Sequence, residues 1–100
     1  MLDEHFPDMA SFHAQQAAEF ALNAIEVHQS GRFSRTHDLP ALAANVSAPP
    51  RIAKLASLLT PAYISARYPD TAGPKITRSR AESYLDAARR IVRWARRQLR

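Results

Sequence analysis

Cysteine is absent from this chain of 100 residues, which excludes disulfide bridges and thiolate metal sites. Long apolar runs are also absent: no segment approaches the roughly 18 consecutive apolar residues of a membrane-spanning helix. The N-terminus does not combine a basic start with an apolar stretch, as a secretory signal does. We therefore expect a cytoplasmic protein with no membrane association, and the sequence predicts no metal ion and no cofactor.

Glycine is scarce, with only two residues, and no alternating apolar segments joined by hairpin turns occur. These features predict an all-α fold. One hundred residues correspond to one domain, residues 1–100. Hydrophobic residues make up 46% of the chain, enough for a small core, and a core of this size is often completed by a partner. We therefore expect that the protein is not a stable monomer.

Basic residues are missing from the first part of the chain. Residues 1–31 contain five acids and no lysine or arginine, whereas residues 32–100 contain 14 bases and four acids. Such a polarised chain is suited to pairing with itself, with an acidic protein or with nucleic acid. Twelve of the 14 bases are arginine, whose planar guanidinium binds phosphate and carboxylate through two parallel hydrogen bonds.

A first helix is predicted from about Asp8 to Gln29, ended by Gly31. At 100° per residue, four side chains of this helix fall close to one line, which we expect to face the core. This line comprises Met9, Gln16, Phe20 and Val27, with His13 and Ala24 beside it. The residues predicted to face solvent are Asp8, Gln15, Glu19, Asn23 and Glu26. Because buried polar groups need partners, His13 and Gln16 are expected to bond across the core, with ligand binding as the alternative.

Two shorter helices are predicted next. Asp38 is a suitable N-cap for a helix from about Leu39 to Val46, with Pro40 in its first turn. Another helix begins near Pro50 and is expected to kink or restart at Pro61. A proline-rich loop follows, and its Arg67 either binds phosphate or fastens the loop through Asp70 or helix carbonyls.

The last helix carries a capping-box pattern, Ser79 and Glu82, just before an apolar run. Ser79 is therefore the predicted N-cap, and its replacement by alanine is expected to cost about 1 kcal/mol. The predicted core stripe consists of Ala81, Tyr84, Ala88, Ile91, Ala95 and Leu99. A second stripe, about 120° away, consists of Arg89, Arg93, Arg96 and Arg100. Trp94 lies on neither stripe, which favours an interface position for it.

The segment from Gly31 to Leu42 contains an Arg-x4-His pattern, Arg32 and His37. A metal-independent ribonuclease needs a base, an acid and a cation on the phosphate. One arginine and one histidine supply half of that set, so two copies of the chain would have to meet. The alternative is structural: Thr36, His37 and Asp38 also form a typical helix start, in which the histidine only neighbours the cap.

Four segments together resemble the HEPN domain family: FHAQQAAEFALNAI, RTHDLPAL, ISARYPD and the last amphipathic helix. The resemblance extends from about Phe6 to Leu99. It implies an up-and-down antiparallel bundle of about four helices, with a truncated first helix, since family members usually carry a full helix before the FHAQQ segment. It also implies a homodimer and an association with a minimal nucleotidyltransferase.

The resemblance leaves two functions open. One is an assembly module that binds nucleotide or nucleic-acid phosphate, with Arg35, Arg67, Arg89 and Arg93 as candidate ligands. The other is a metal-independent endoribonuclease toxin of a toxin–antitoxin pair, which uses Arg32 and His37 and is neutralised by a nucleotidyltransferase antitoxin. The catalytic motif of such toxins lies late in the domain, whereas Arg32 and His37 lie early, which favours the assembly module and a mainly structural His37.

Overall fold

The computed structural model describes residues 6–62 and 76–100, and these residues form helices without any strand. The helices are α1 (Phe6–Ser30), α2 (Leu39–Asn45), α3 (Pro50–Leu58) and α4 (Arg78–Gln98). The predicted all-α class is confirmed. The proline-rich loop, including Arg67, falls outside the described residues.

The two long helices, α1 and α4, form the principal contact of the bundle, and α3 packs against α2 and α4. A row of alanines, Ala10, Ala14 and Ala18, is buried along α1. Because alanine side chains are short, α4 approaches α1 closely. Leu22 and Ile25 continue this row toward the C-terminal end of α1 and are also buried.

The predicted core face of α1 was wrong. Met9, Phe20 and Val27 are exposed, at 58%, 64% and 48% of their surface. The helix has apolar residues around most of its circumference, so periodicity alone did not select the buried side. The core instead receives the alanine row, which permits the closest helix packing, and Met9, Phe20 and Val27 remain outside.

The polar residues of α1 were also misassigned. His13 is exposed and Gln16 is half-buried, so the expected pair across the core does not form. Gln15, Asn23 and Glu26, predicted to face solvent, are buried. Residues that follow α1 explain in part why Glu26 is buried. Ser34 and Asn45 donate hydrogen bonds to its carboxylate and so compensate the loss of its hydration.

The two short helices follow the sequence closely. The Asp38 carboxylate accepts a hydrogen bond from the Ala41 backbone N–H at 3.1 Å and so caps α2. The helix α3 ends at Leu58, and residues 60–62 are again helical, so the predicted restart around Pro61 is confirmed. Ile52 and Leu59 are buried in the core.

Helix α4 buries most of its predicted stripe: Ala81, Tyr84, Ala88, Ile91 and Ala95. Trp94, predicted to lie off the core, is only 6% exposed, and this prediction was wrong. Because α4 packs against α3 as well as α1, its buried arc is wider than one stripe. Ala87 and Trp94, seven residues apart, fall on the same line of the helix and are both buried.

The N-cap of α4 is Thr77 and not Ser79. The Thr77 Oγ1 atom accepts a hydrogen bond from the Arg80 backbone N–H at 3.0 Å. Ser79 lies inside the first turn. The Ser79–Glu82 capping-box pattern therefore did not locate the start of the helix. Thr77, two residues earlier, also has a side-chain hydroxyl, and this hydroxyl caps the helix.

We predict that Thr77→Ala lowers the free energy of unfolding by about 1 kcal/mol, the usual cost of losing a cap. Ser79→Ala is the matched control and is expected to change it by less than about 0.5 kcal/mol, as at other exposed positions. Urea unfolding followed by circular dichroism measures both. A larger loss for Ser79→Ala than for Thr77→Ala would place the cap at Ser79.

Candidate phosphate-binding surface

An open groove of about 460 Å³ runs between the two long helices. Helix α1 contributes His13, Ala14 and Ala17 to this α1–α4 groove. Helix α4 contributes Leu85, Ala88, Arg89, Val92, Arg93 and Arg96. The floor is therefore apolar, and the α4 wall is strongly basic. Two of the four predicted phosphate ligands, Arg89 and Arg93, lie together here.

The arginines of this groove lie on successive turns of α4, at positions 89, 93 and 96, and all three are exposed. Within the described residues, no ion pair involves them: Asp86 bonds Arg90 instead, at 3.0 Å. Glu19 and Glu26 lie on the side of α1 that meets His37 and Ser34. The positive charge of the groove is therefore not balanced by the described acids.

His37 lies in a second open groove, of about 740 Å³, formed where the 31–38 segment enters α2. Arg35 lines this His37 groove as well, together with Leu59 and Thr60 of the neighbouring turn. The structure thus brings a predicted catalytic residue and a predicted phosphate ligand together. Arg32, the other half of the Arg-x4-His pattern, is not among the residues that line the groove.

Glu19 positions the His37 ring. The His37 Nδ1 atom lies 2.8 Å from Glu19 Oε1, and Gln15 donates a hydrogen bond to the same oxygen at 2.9 Å. In the neutral ring, an Nδ1–H that donates to a carboxylate makes Nε2 the accepting nitrogen. Sequence reasoning missed Glu19, because the two partners are 18 residues apart and no local pattern joins them.

Arg32 lies on the outer side of the same segment. Its side chain is exposed, and its backbone N–H donates to Ser30 Oγ at 3.3 Å. The buried carboxylate of Glu26 accepts hydrogen bonds from the Ser34 hydroxyl at 2.6 Å and from the Ser34 backbone N–H at 2.9 Å. These bonds hold the pKa of Glu26 below its ordinary value, with a smaller contribution from the charge of Arg32. Glu26 therefore fastens the segment to α1 as an anion.

Other kinds of site find no support in the parts of the chain that the structure describes. Residues 6–62 and 76–100 contain no cluster of three or more histidine, aspartate or glutamate side chains suited to a metal ion. None of their helices combines the length and the apolar character needed to cross a bilayer.

The fold and the groove define a class: small all-α bundles with a basic groove between their two longest helices. The chain belongs to the HEPN domain family, because the model of the HEPN domain matches residues 1–98. This match confirms the resemblance. No match was found among curated proteins or among solved structures.

Proposed function

We propose that this HEPN domain is a homodimeric assembly module that binds the phosphate groups of a nucleotide or nucleic acid in the α1–α4 groove. The observation that carries the proposal is the row of three arginines, Arg89, Arg93 and Arg96, along an apolar floor without a balancing acid. Guanidinium groups bind phosphate oxygens through two parallel hydrogen bonds. The apolar floor adds a surface for the non-polar part of such a ligand.

Phosphate binding is tested with a fluorescent ATP analogue and with inorganic tripolyphosphate as competitor. We predict that Arg93→Ala weakens binding by about tenfold or more, the lower range for the loss of one hydrogen bond between charged groups. Arg97→Ala is the matched control, since Arg97 is an exposed arginine of the same helix outside the groove. Equal losses in both variants would indicate attraction by net charge alone and would refute a site in the groove.

The homodimer is proposed to form through the α1 stripe, which we define as Met9, Phe20 and Val27. These exposed side chains share one line of α1 and have no charged neighbour on that line. A two-fold interface pairs the same surface patch of both copies, so the lack of charge on the stripe avoids like-charge repulsion. Burial in a dimer would remove the large exposed apolar surface from water.

A minimal nucleotidyltransferase is proposed as the second partner, and this part rests on family membership. Co-expression of the two proteins followed by size-exclusion chromatography tests it. A complex that survives purification supports the partnership, and separate elution of both proteins at micromolar concentration contradicts it.

The alternative function is a metal-independent endoribonuclease, and one observation favours it: the carboxylate–histidine pair of Glu19 and His37 in a groove that also contains Arg35. A carboxylate that orients a histidine is a common arrangement for proton transfer. Arg32 is not part of this groove, so Arg35 would be the cation nearer to the phosphate. A nuclease site in this groove therefore does not require the Arg-x4-His pattern itself.

We predict that the purified protein does not cleave RNA in the presence of a metal chelator. We expect His37→Ala to lower the free energy of unfolding. Loss of the bond to Glu19 leaves a half-buried carboxylate with fewer partners, which destabilises the fold. RNA cleavage by wild type, abolished in a folded and dimeric His37→Ala variant, would establish the nuclease. Arg35→Ala and Arg32→Ala then decide which arginine contacts the phosphate.

A further inference from the structure

The α1–α4 groove has a shape and a charge distribution that select among phosphate-bearing ligands. Resting on the phosphate-binding function proposed above, we propose that its ligand is a short single strand of nucleic acid. The phosphates of the strand would lie along the α4 arginines, and its bases would lie over the apolar floor toward α1. The following observations favour this ligand over a mononucleotide and over a duplex.

The spacing of the arginines matches a row of phosphates. Arg93 follows Arg89 by four residues and precedes Arg96 by three, which separates them by about 6 Å and about 4.5 Å along the helix axis. One guanidinium already suffices to bind a phosphate through two hydrogen bonds. Three guanidinium groups spread over about 10 Å are better matched to successive phosphates of one strand than to a single compact group.

The groove is basic on one side only. Helix α1 has no lysine or arginine, and the residues that it contributes are His13, Ala14 and Ala17. A duplex presents phosphates on both strands and keeps its base faces stacked inside. A single strand instead has phosphates along one edge and accessible base faces along the other. This asymmetry matches one basic wall that faces an apolar one.

His13 is placed to stack on a base. It lies on the α1 side of the groove, opposite the arginines, and its side chain is exposed. The Phe12 ring packs edge-on against it, with ring centroids 5.7 Å apart and an interplanar angle of 61°. Histidine is among the side chains on which unpaired bases stack. The sequence left a ligand role for His13 open, and the role inferred here is stacking on an unpaired base.

The first test uses fluorescein-labelled uridylates of increasing length, from the mononucleotide to the octanucleotide, and a duplex of matched length. We expect affinity to rise up to the trinucleotide and then to level off for each groove, with the duplex bound more weakly. Three single-strand phosphate contacts predict a slope of about −2 for log K against log salt concentration. Arg93→Ala is expected to reduce the magnitude of this slope by about 0.7. Arg97→Ala is expected to leave the slope unchanged.

The second test separates base recognition from phosphate binding. His13→Ala is expected to weaken trinucleotide binding at least about fivefold, the lower range for one lost stacking contact. Tripolyphosphate should bind this variant as it binds wild type. Because His13 is exposed, the variant is expected to remain folded, which circular dichroism checks.

Three results would overturn the inference while leaving phosphate binding intact: equal affinity for mononucleotide and trinucleotide, tighter binding of the duplex, or unchanged trinucleotide binding by His13→Ala. Displacement of the strand by polyglutamate at lower concentration than by tripolyphosphate would point to an acidic protein partner and also overturn it. If neither tripolyphosphate nor any uridylate binds in an Arg93-dependent manner, the proposed function itself fails.

Discussion

Trp94→Ala is expected to lower the free energy of unfolding by about 3–5 kcal/mol, the range for removing a large aromatic side chain from a core. Trp94 is 6% exposed and lies on the same line of α4 as the buried Ala87. A small domain has a total stability of about 5–15 kcal/mol. Loss of the Trp94 side chain therefore removes a large part of the total stability. Chemical unfolding monitored by circular dichroism measures the change.

The control for Trp94 is Leu99→Ala at the C-cap of the same helix. Leu99 is 38% exposed, and its truncation is expected to cost less than about 1 kcal/mol. Trp94→Phe, which keeps an aromatic ring, provides a folded comparison if the alanine variant does not fold. Similar stabilities of the wild type and both Trp94 variants would mean that Trp94 lies at the surface, as its position off the core stripe first indicated.

Phe20→Glu is expected to raise the dissociation constant of the homodimer by about 100-fold or more. Phe20 is the most exposed member of the α1 stripe, at 64%, and central aromatic residues of interfaces often contribute 2 kcal/mol or more to binding. The two-fold symmetry also places two new carboxylates within one apolar interface, which adds repulsion and a desolvation cost. Sedimentation equilibrium over a range of protein concentrations gives the constant.

Phe33→Glu is the matched control, since Phe33 is another exposed phenylalanine but lies in the 31–38 segment, outside the stripe. We expect it to leave the dimer unchanged. A wild-type protein that sediments as a folded monomer at all concentrations would refute the homodimer. Dissociation by Phe33→Glu and not by Phe20→Glu would move the interface to the 31–38 segment.

Local patterns in the sequence determined much of the fold. Two long helices, two short helices and the cap at Asp38 were all predicted, and the match to the HEPN domain confirms the family. The row of exposed arginines on α4 was also predicted. These features depend on residues that are near each other in the chain: helix periodicity, proline and glycine positions, and hydrogen bonds between neighbouring residues.

The candidate sites also depend partly on local sequence and partly on contacts between distant segments. The sequence identified Arg89 and Arg93 as possible phosphate ligands, but the groove that contains them exists only because α4 packs on the alanine row of α1. It identified His37, but its partner Glu19 lies in α1, 18 residues earlier in the chain. Pairings between distant segments leave no periodic signal, so no single-sequence pattern predicted either arrangement.

What the sequence alone determined, then, is which segments are helical, where they begin and end to within a few residues, and which residues have the charge to bind phosphate. Only the tertiary structure decided which face of α1 is buried and on which side of α4 Trp94 lies. The physical reason is that α1 is apolar on more than one side, so its orientation is set by how closely α4 approaches. The short alanines allow the nearest approach, and the larger Met9, Phe20 and Val27 were left at the surface.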